Sequence, residues 1–408
     1  MKAVLLFAVA VAGFGQTFEQ RGFLETGITG YPQTAPDDSG RIIVDSLLRY
    51  EATWRPQPWL KLTAGIDAGI DTHRQFDRDL ALDVEDRGAQ RPSLSLRRVS
   101  ALIHKGNVTI EAGRQFVRWG KTDLLTPTDR FAPKDFLSVA NSDFLSIPAV
   151  RATYDNGTDT IDLVWQLRFT PSRVPLLDQR WTVIPPQADG FAIVDGGARY
   201  PGGTEQGIRW NHNARGFEYA LTFYNGFNHL PLFDAELGVK GSQAAIDVIR
   251  CYPELRQYGA STAIPLRWFT LKAEAAYYQT NNSKMDEFTL YVVQLERVVK
   301  EWTFVGGYAG EVVERNAENP LLFSPDRGLA KAFLGRASYN WDANTTLSFD
   351  AAVRQTGAGS LVRFEYSRAI GQHWRATAGL SWVRGDASDF LGEYHRNSSG
   401  RLALRYSF

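Results

Sequence analysis

The chain has 408 residues, and its 45 lysines and arginines are matched by 45 aspartates and glutamates, so no bulk electrostatic pull toward nucleic acid exists. Mean hydropathy is -0.27, and beyond the N-terminus no run reaches the roughly 20 apolar residues of a helical span, which excludes a helical membrane protein. Aromatic residues are 12% of the chain while cysteine occurs once and methionine twice, a profile unlike that of a cytosolic enzyme of this size.

Lys2 supplies a positive start, residues 3–12 (AVLLFAVAVA) form an apolar run, and the small residues Gly13 and Gly15 follow. The pattern reads as a secretory signal peptide over residues 1–15, with cleavage after Ala12 or Gly15, leaving residues 16–408 as a single domain. No cysteine stands near that site, so a lipid anchor is not expected. An exported chain nearly free of cysteine fits a Gram-negative envelope, where folding does not depend on disulfides. The lone Cys251 lies in a segment, residues 244–254, that reads as a short surface helix or loop, and it carries no role.

From there the mature chain alternates with period two almost throughout. Ile42, Val44, Leu48, Tyr50, Ala52 and Trp54 share one face against Asp45, Arg49, Glu51 and Thr53. Leu60, Leu62, Ala64, Ile66, Ala68 and Ile70 repeat it against Lys61, Thr63, Asp67 and Asp71. The pattern returns at residues 269–277 and 374–382. Strands of a soluble sandwich run to about five or six residues; these are nearly twice that, the length of a tilted strand crossing a bilayer. In such a barrel the apolar face meets lipid and the polar face lines a lumen.

The connections alternate in length. Short links fall at residues 55–58, 105–107, 155–158, 213–216, 265–268, 297–301, 341–344 and 371–373. Longer ones fall at residues 31–40, 72–92, 120–146, 170–204, 226–254, 281–286, 314–327, 355–359 and 384–394. This predicts an all-β transmembrane antiparallel barrel of about 18 strands, with 16 as the alternative, short periplasmic turns and long extracellular loops. Trp54, Trp59, Trp268, Trp302, Trp341 and Trp374 stand beside short links, as an interfacial aromatic girdle would. The final strand alternates Leu402, Leu404, Tyr406 and Phe408 with Ala403, Arg405 and Ser407. It resembles the closing strand of bacterial outer-membrane proteins, which implies recognition by the barrel-assembly machinery.

A barrel of 16 to 18 strands leaves an aqueous channel. The inward faces are expected to carry Arg49, Glu51, Asp67, Arg98, Glu111, Arg151, Asp162, Arg209, Lys272, Glu274, Glu311, Arg336, Asp350, Arg354, Arg363, Glu365, Arg375 and Arg405. The basic run Arg354, Arg363, Arg375 and Arg405 would make one wall cationic and favour anionic or polyhydroxylated solutes.

Within the third long connection, Pro127 and Pro133 stiffen the chain, and Asp123, Asp129, Arg130, Lys134 and Asp135 offer both signs of charge to a constriction. The run from Gly113-Arg114-Gln115 through Trp119-Gly120 into residues 122–136 resembles a segment of a porin-like outer-membrane β-barrel family of unassigned function. The likeness is confined to this segment; elsewhere it is the general barrel pattern. It implies a channel-type relative and leaves the solute open.

The rival classes are a barrel enzyme hydrolysing lipid or peptide and a surface adhesin built on long loops such as residues 170–204. The six histidines, His73, His104, His212, His229, His373 and His395, read as solvated surface groups, and neither a Gly-x-Ser-x-Gly motif nor a metal-spaced His pair occurs. No enzyme activity, cofactor, metal or nucleic acid is expected. The expected partners are outer-membrane lipid, the assembly machinery and small hydrophilic solutes, and the sequence leaves open whether barrels associate as a homotrimer. Strand register is least well determined around residues 94–98, 290–296 and 328–336.

Overall fold

A computed structural model describes residues 17–185, 188–318 and 323–408; the expected signal peptide, residues 1–15, lies outside them. The alternating segments form eighteen antiparallel barrel strands. The first nine are Thr17–Gly30, Ile42–Gln57, Leu60–Asp71, Leu94–Lys105, Val108–Gln115, Ile147–Asp155, Asp159–Gln166, Glu205–Ala214 and Phe217–Phe227. The second nine are Glu254–Pro265, Thr270–Gln279, Glu287–Val299, Trp302–Arg315, Ala332–Asp342, Thr345–Arg354, Gly359–Ile370, Trp374–Gly385 and Ser399–Ser407. Each pairs with the next, and Thr17–Gly30 pairs with both Ile42–Gln57 and Ser399–Ser407, so the sheet closes without a free edge. Strands joined by tight turns at one rim and by long loops at the other follow the predicted rhythm. Two of the turns pass through Gly106 and Gly216 at φ 58° and 89°, where a side chain would be strained.

Period two dictates which side chains leave the cylinder. Leu48, Ile66, Leu163, Leu221, Val293, Phe333, Leu380 and Leu402 are all exposed on its outside, an apolar band far larger than a soluble monomer carries and one that lipid would cover. The six tryptophans beside the short turns, Trp54, Trp59, Trp268, Trp302, Trp341 and Trp374, are 40 to 67% exposed along that rim. Among the described residues no helix is long and apolar enough to cross a membrane.

The inside has two halves. Along one wall the inward positions are charged; along the other, Leu255, Leu290, Val292 and Leu334 point inward and are buried with Leu125 of a loop folded into the barrel. The register also shifts at Gly65/Ile66 opposite residues 96–98. This bulge lets the adjacent Arg97 and Arg98 both reach lumen carboxylates.

Above the long-loop rim lies a three-stranded sheet that alternation in the barrel does not announce: Ala192–Arg199 runs parallel to Gln243–Cys251, which pairs antiparallel with Leu232–Lys240. The expected helix or loop at Cys251 is therefore corrected to the end of a strand. Its thiol lies half-buried, 3.4 Å from Asp234 Oδ2, because residues 243–251 alternate against two neighbours rather than following a helical period.

Candidate functional site

Residues 116–146 leave the fifth strand and turn into the lumen. The wall that receives them is shaped for close approach. At Gly207 a Cβ would stand 2.5 Å from the Phe131 ring, and at Gly259 one would stand 2.7 Å from Thr128 Cγ2. Trp119, Phe131 and Tyr224 meet edge to face with ring centroids 5.1 Å apart, and all three are buried.

One wall carboxylate holds the segment. Glu274, 2% exposed, accepts at Oε2 from Lys121 N (2.9 Å), Thr122 N (3.2 Å) and Thr122 Oγ1 (2.9 Å). At Oε1 it accepts from Thr128 N (2.7 Å) and Thr128 Oγ1 (2.8 Å). Five donors on one buried carboxylate satisfy its desolvation cost, as a buried charge requires. Alongside it, Gln294 Nε2 and Lys272 Nζ donate to Asp123 Oδ2 at 2.6 and 2.8 Å. Gln257 Nε2 and Tyr278 OH donate to Pro127 O at 2.9 and 2.6 Å. The far end of the segment is clasped by the long loops at the same rim. Asp135 accepts from Arg91 Nε (2.8 Å) and Nη2 (3.0 Å) and from Arg173 Nη1 (2.9 Å), and Arg173 also pairs with Asp86. Burial pushes the Arg173 guanidinium down to about 10.

With one side filled, open space remains on the other. A cavity of about 840 Å³ lies between the segment and the strands at either end of the chain. Seven arginines (49, 91, 97, 173, 336, 363 and 401) and nine carboxylates (Glu25, Asp45, Asp67, Asp71, Asp86, Asp135, Asp143, Asp350 and Glu365) line it, so its charge balance is slightly acidic. Most of these charges are paired. Arg49 holds Asp67 with two bonds at 2.8 and 2.9 Å, Arg336 holds Asp350 at 2.6 Å, and Arg401 holds Asp45 at 2.5 and 2.9 Å. Asp143, on the inward segment, stands 3.6 Å from Arg49 and 3.7 Å from Arg97 with its side chain 64% exposed.

Of the residues singled out in the sequence, Arg49, Asp67, Asp135, Arg336, Asp350, Arg363 and Glu365 line this cavity. Arg363 donates to Ala140 O and, at 3.1 Å, to Asn141 Oδ1. The others have different neighbours. Asp123 and Lys134 bind wall or loop groups, the latter Asp326 at 3.2 Å. Asp129 is buried against Arg118 and accepts from Trp119 N at 3.1 Å, and burial pushes its carboxyl up. Arg130 lies over Tyr224 and Tyr278 at 5.8 and 5.6 Å. Glu51 pairs with Arg21, Arg98 with Glu111 at 2.8 Å, and Arg151 with Asp162 at 2.7 Å. Arg354 pairs with Asp389 at 3.0 Å, Arg405 with Glu25 at 2.7 Å, and Arg375 donates to Ser367 Oγ at 3.0 Å. Within the basic run, Arg354 and Arg405 are thus neutralised by carboxylates of other elements, while Arg363 and Arg375 meet neutral acceptors.

Two of the histidines read as solvated are not. His229, 3% exposed, contacts Glu205 at 3.0 Å, and His73 contacts Asp38 at 2.7 Å. Sequence reasoning missed Arg91, Arg97, Asp143 and Arg401; of these only Arg401, at an alternating inward position, carried a signal.

No family model matches the chain, and no curated protein matches it. Solved structures do. A BenF-like porin from Pseudomonas fluorescens Pf-5 superposes with a TM-score of 0.55 at 11% identity, over 96% of this chain and 98% of that one. The fold is that of a porin. OccAB3 of Acinetobacter baumannii gives a TM-score of 0.55 at 10% identity over 96% and 99% of the two chains, and OccAB1 of the same organism gives 0.56 at 7% over 96% of each. At such identities the porin likeness carries architecture alone, and solute chemistry has to come from this chain's residues.

Proposed function

We propose that the protein is an outer-membrane porin, exported with loss of residues 1–15, that lets small hydrophilic solutes diffuse passively and catalyses no reaction. The observation that carries this reading is the charged cavity left open beside an inward segment that fills the rest of a lipid-compatible barrel. Of the two solute classes, polyhydroxylated molecules fit better than anions. Arginine–carboxylate pairs offer donors and acceptors side by side, while nine carboxylates against seven arginines give anions no net attraction. Asp123, Asp129, Arg130, Lys134 and the buried Asp135 act by fixing the inward segment, and Arg49 and Arg363 by meeting solute.

Insertion would use the assembly machinery through Ser399–Ser407. Association into trimers is favoured on the outer face where Thr26 Oγ1 meets Ser46 Oγ at 2.9 Å and Tyr50 OH donates to Gln20 at 2.9 Å, polar pairs better covered by protein than by lipid.

Swelling of proteoliposomes in isotonic solutes tests the reading. Pentoses and hexoses should enter at rates that fall with size, and gluconate no faster than a neutral sugar of its size. Folded barrel that admits none of them rejects the proposal.

A further inference from the structure

At the short-turn rim, residues 266–269 join Glu254–Pro265 to Thr270–Gln279, and residues 300–301 join Glu287–Val299 to Trp302–Arg315. Trp268 stands there 61% exposed, with the guanidinium carbon of Arg267 5.2 Å and that of Arg297 5.7 Å from its ring centroid. Both arginines are exposed. Among the described residues neither is paired with a carboxylate, in contrast to the lumen arginines Arg49, Arg98, Arg151, Arg336 and Arg401. Lys300 adds a third cation in the adjacent turn and Glu301 opposes it. Next to the cluster, on the same outer face, Leu295, Val299 and Phe304 present exposed apolar surface.

Both guanidinium groups lie within cation–π range of the indole, and among the described residues their N–H edges have no protein acceptor. Those edges form a donor fork suited to phosphate oxygens. The indole marks headgroup depth, and the apolar strip beside it suits an acyl chain. We propose that this rim holds one anionic phospholipid, its phosphodiester bound by Arg267 and Arg297 and its chains lying along the strip. The proposal rests on the outer-membrane reading above, which places this rim in the phospholipid leaflet.

The test is native mass spectrometry of the full-length protein in detergent, titrated with phosphatidylglycerol, phosphatidylcholine or inorganic phosphate. One phosphatidylglycerol should be retained in preference to phosphatidylcholine, whose choline cancels the charge. Retention should fall about fivefold for each of Arg267→Gln and Arg297→Gln, the usual worth of one cation near an anionic surface. Both variants should keep the heat-modifiable gel shift of a folded barrel. Equal retention of the two lipids, unchanged retention in the double variant, or saturation by inorganic phosphate alone would overturn the proposal. Conductance of the same preparation is measured separately, so selective lipid retention by a silent barrel would refute the channel and leave the lipid site standing.

Discussion

Glu274 and Thr128 lie 146 residues apart in sequence, yet the backbone N–H and hydroxyl of Thr128 both donate to one oxygen of the Glu274 carboxylate, at 2.7 and 2.8 Å. The contact holds the inward segment to one wall and so leaves the opening off-centre.

Glu274→Gln keeps the shape but turns an –NH₂ toward groups that are themselves donors. Hydrogen bonds to a charged group are worth about 1.5–3 kcal/mol each, so the segment should loosen by roughly 2–4 kcal/mol, allowing for partial rescue by the remaining carbonyl. Single-channel records should show higher mean conductance and more open-state noise, with Glu274→Asp intermediate. Records identical to wild type would mean that another contact sets the segment's position.

Ion selectivity should separate groups that meet solute from groups that only brace the segment. Arg363→Glu places a negative charge beside Glu365 on the cavity wall and should shift the reversal potential in a KCl gradient toward cation preference. Asp129→Asn, buried against Arg118, should lower thermal stability while shifting the reversal potential little. The opposite ranking would put Asp129 in the solute path.

Barrel closure depends on a missing side chain. Gly22 N donates to Phe408 O at 2.9 Å and Phe408 N to Gly22 O at 3.0 Å, and a Cβ at Gly22 would stand 2.7 Å from both the Phe408 ring and Arg49 O. Gly22→Val should destabilise by about 1–3 kcal/mol, as overpacking does, and lower the temperature at which the folded gel band is lost. Gly30→Ala, with nothing within 4 Å of the new methyl, serves as the control.

Cys251 reports which rim faces outward. Burial, then the neighbouring Asp234, hold its thiol above the ordinary value. Because the thiolate is the reactive form, labelling of intact cells by a membrane-impermeant maleimide should be slow near neutrality and rise roughly tenfold per pH unit below the thiol's pKa. Labelling only after the envelope is broken would invert the assigned orientation.

The barrel was legible wherever one strand face was apolar and the other charged, as in residues 42–54 and 60–71, because period two then marks both faces at once. It blurred where that contrast disappears. Residues 290–296 and 328–336 carry inward Leu290, Val292 and Leu334, apolar because the folded-in segment covers them. Residues 94–98 face the bulge at Gly65/Ile66. The cavity was harder to see for a different reason. Asp143, Arg91 and Arg173 lie on loops with no period, and Glu274 looks in sequence like any other lumen charge; what distinguishes it is five donors from a distant segment, and a one-dimensional pattern cannot place them.

Conductance of the purified, folded protein in a planar lipid bilayer tests the central claim most directly. The account predicts stepwise insertion of steadily open channels whose conductance rises with salt concentration. A correctly folded barrel that inserts and passes no current would contradict it.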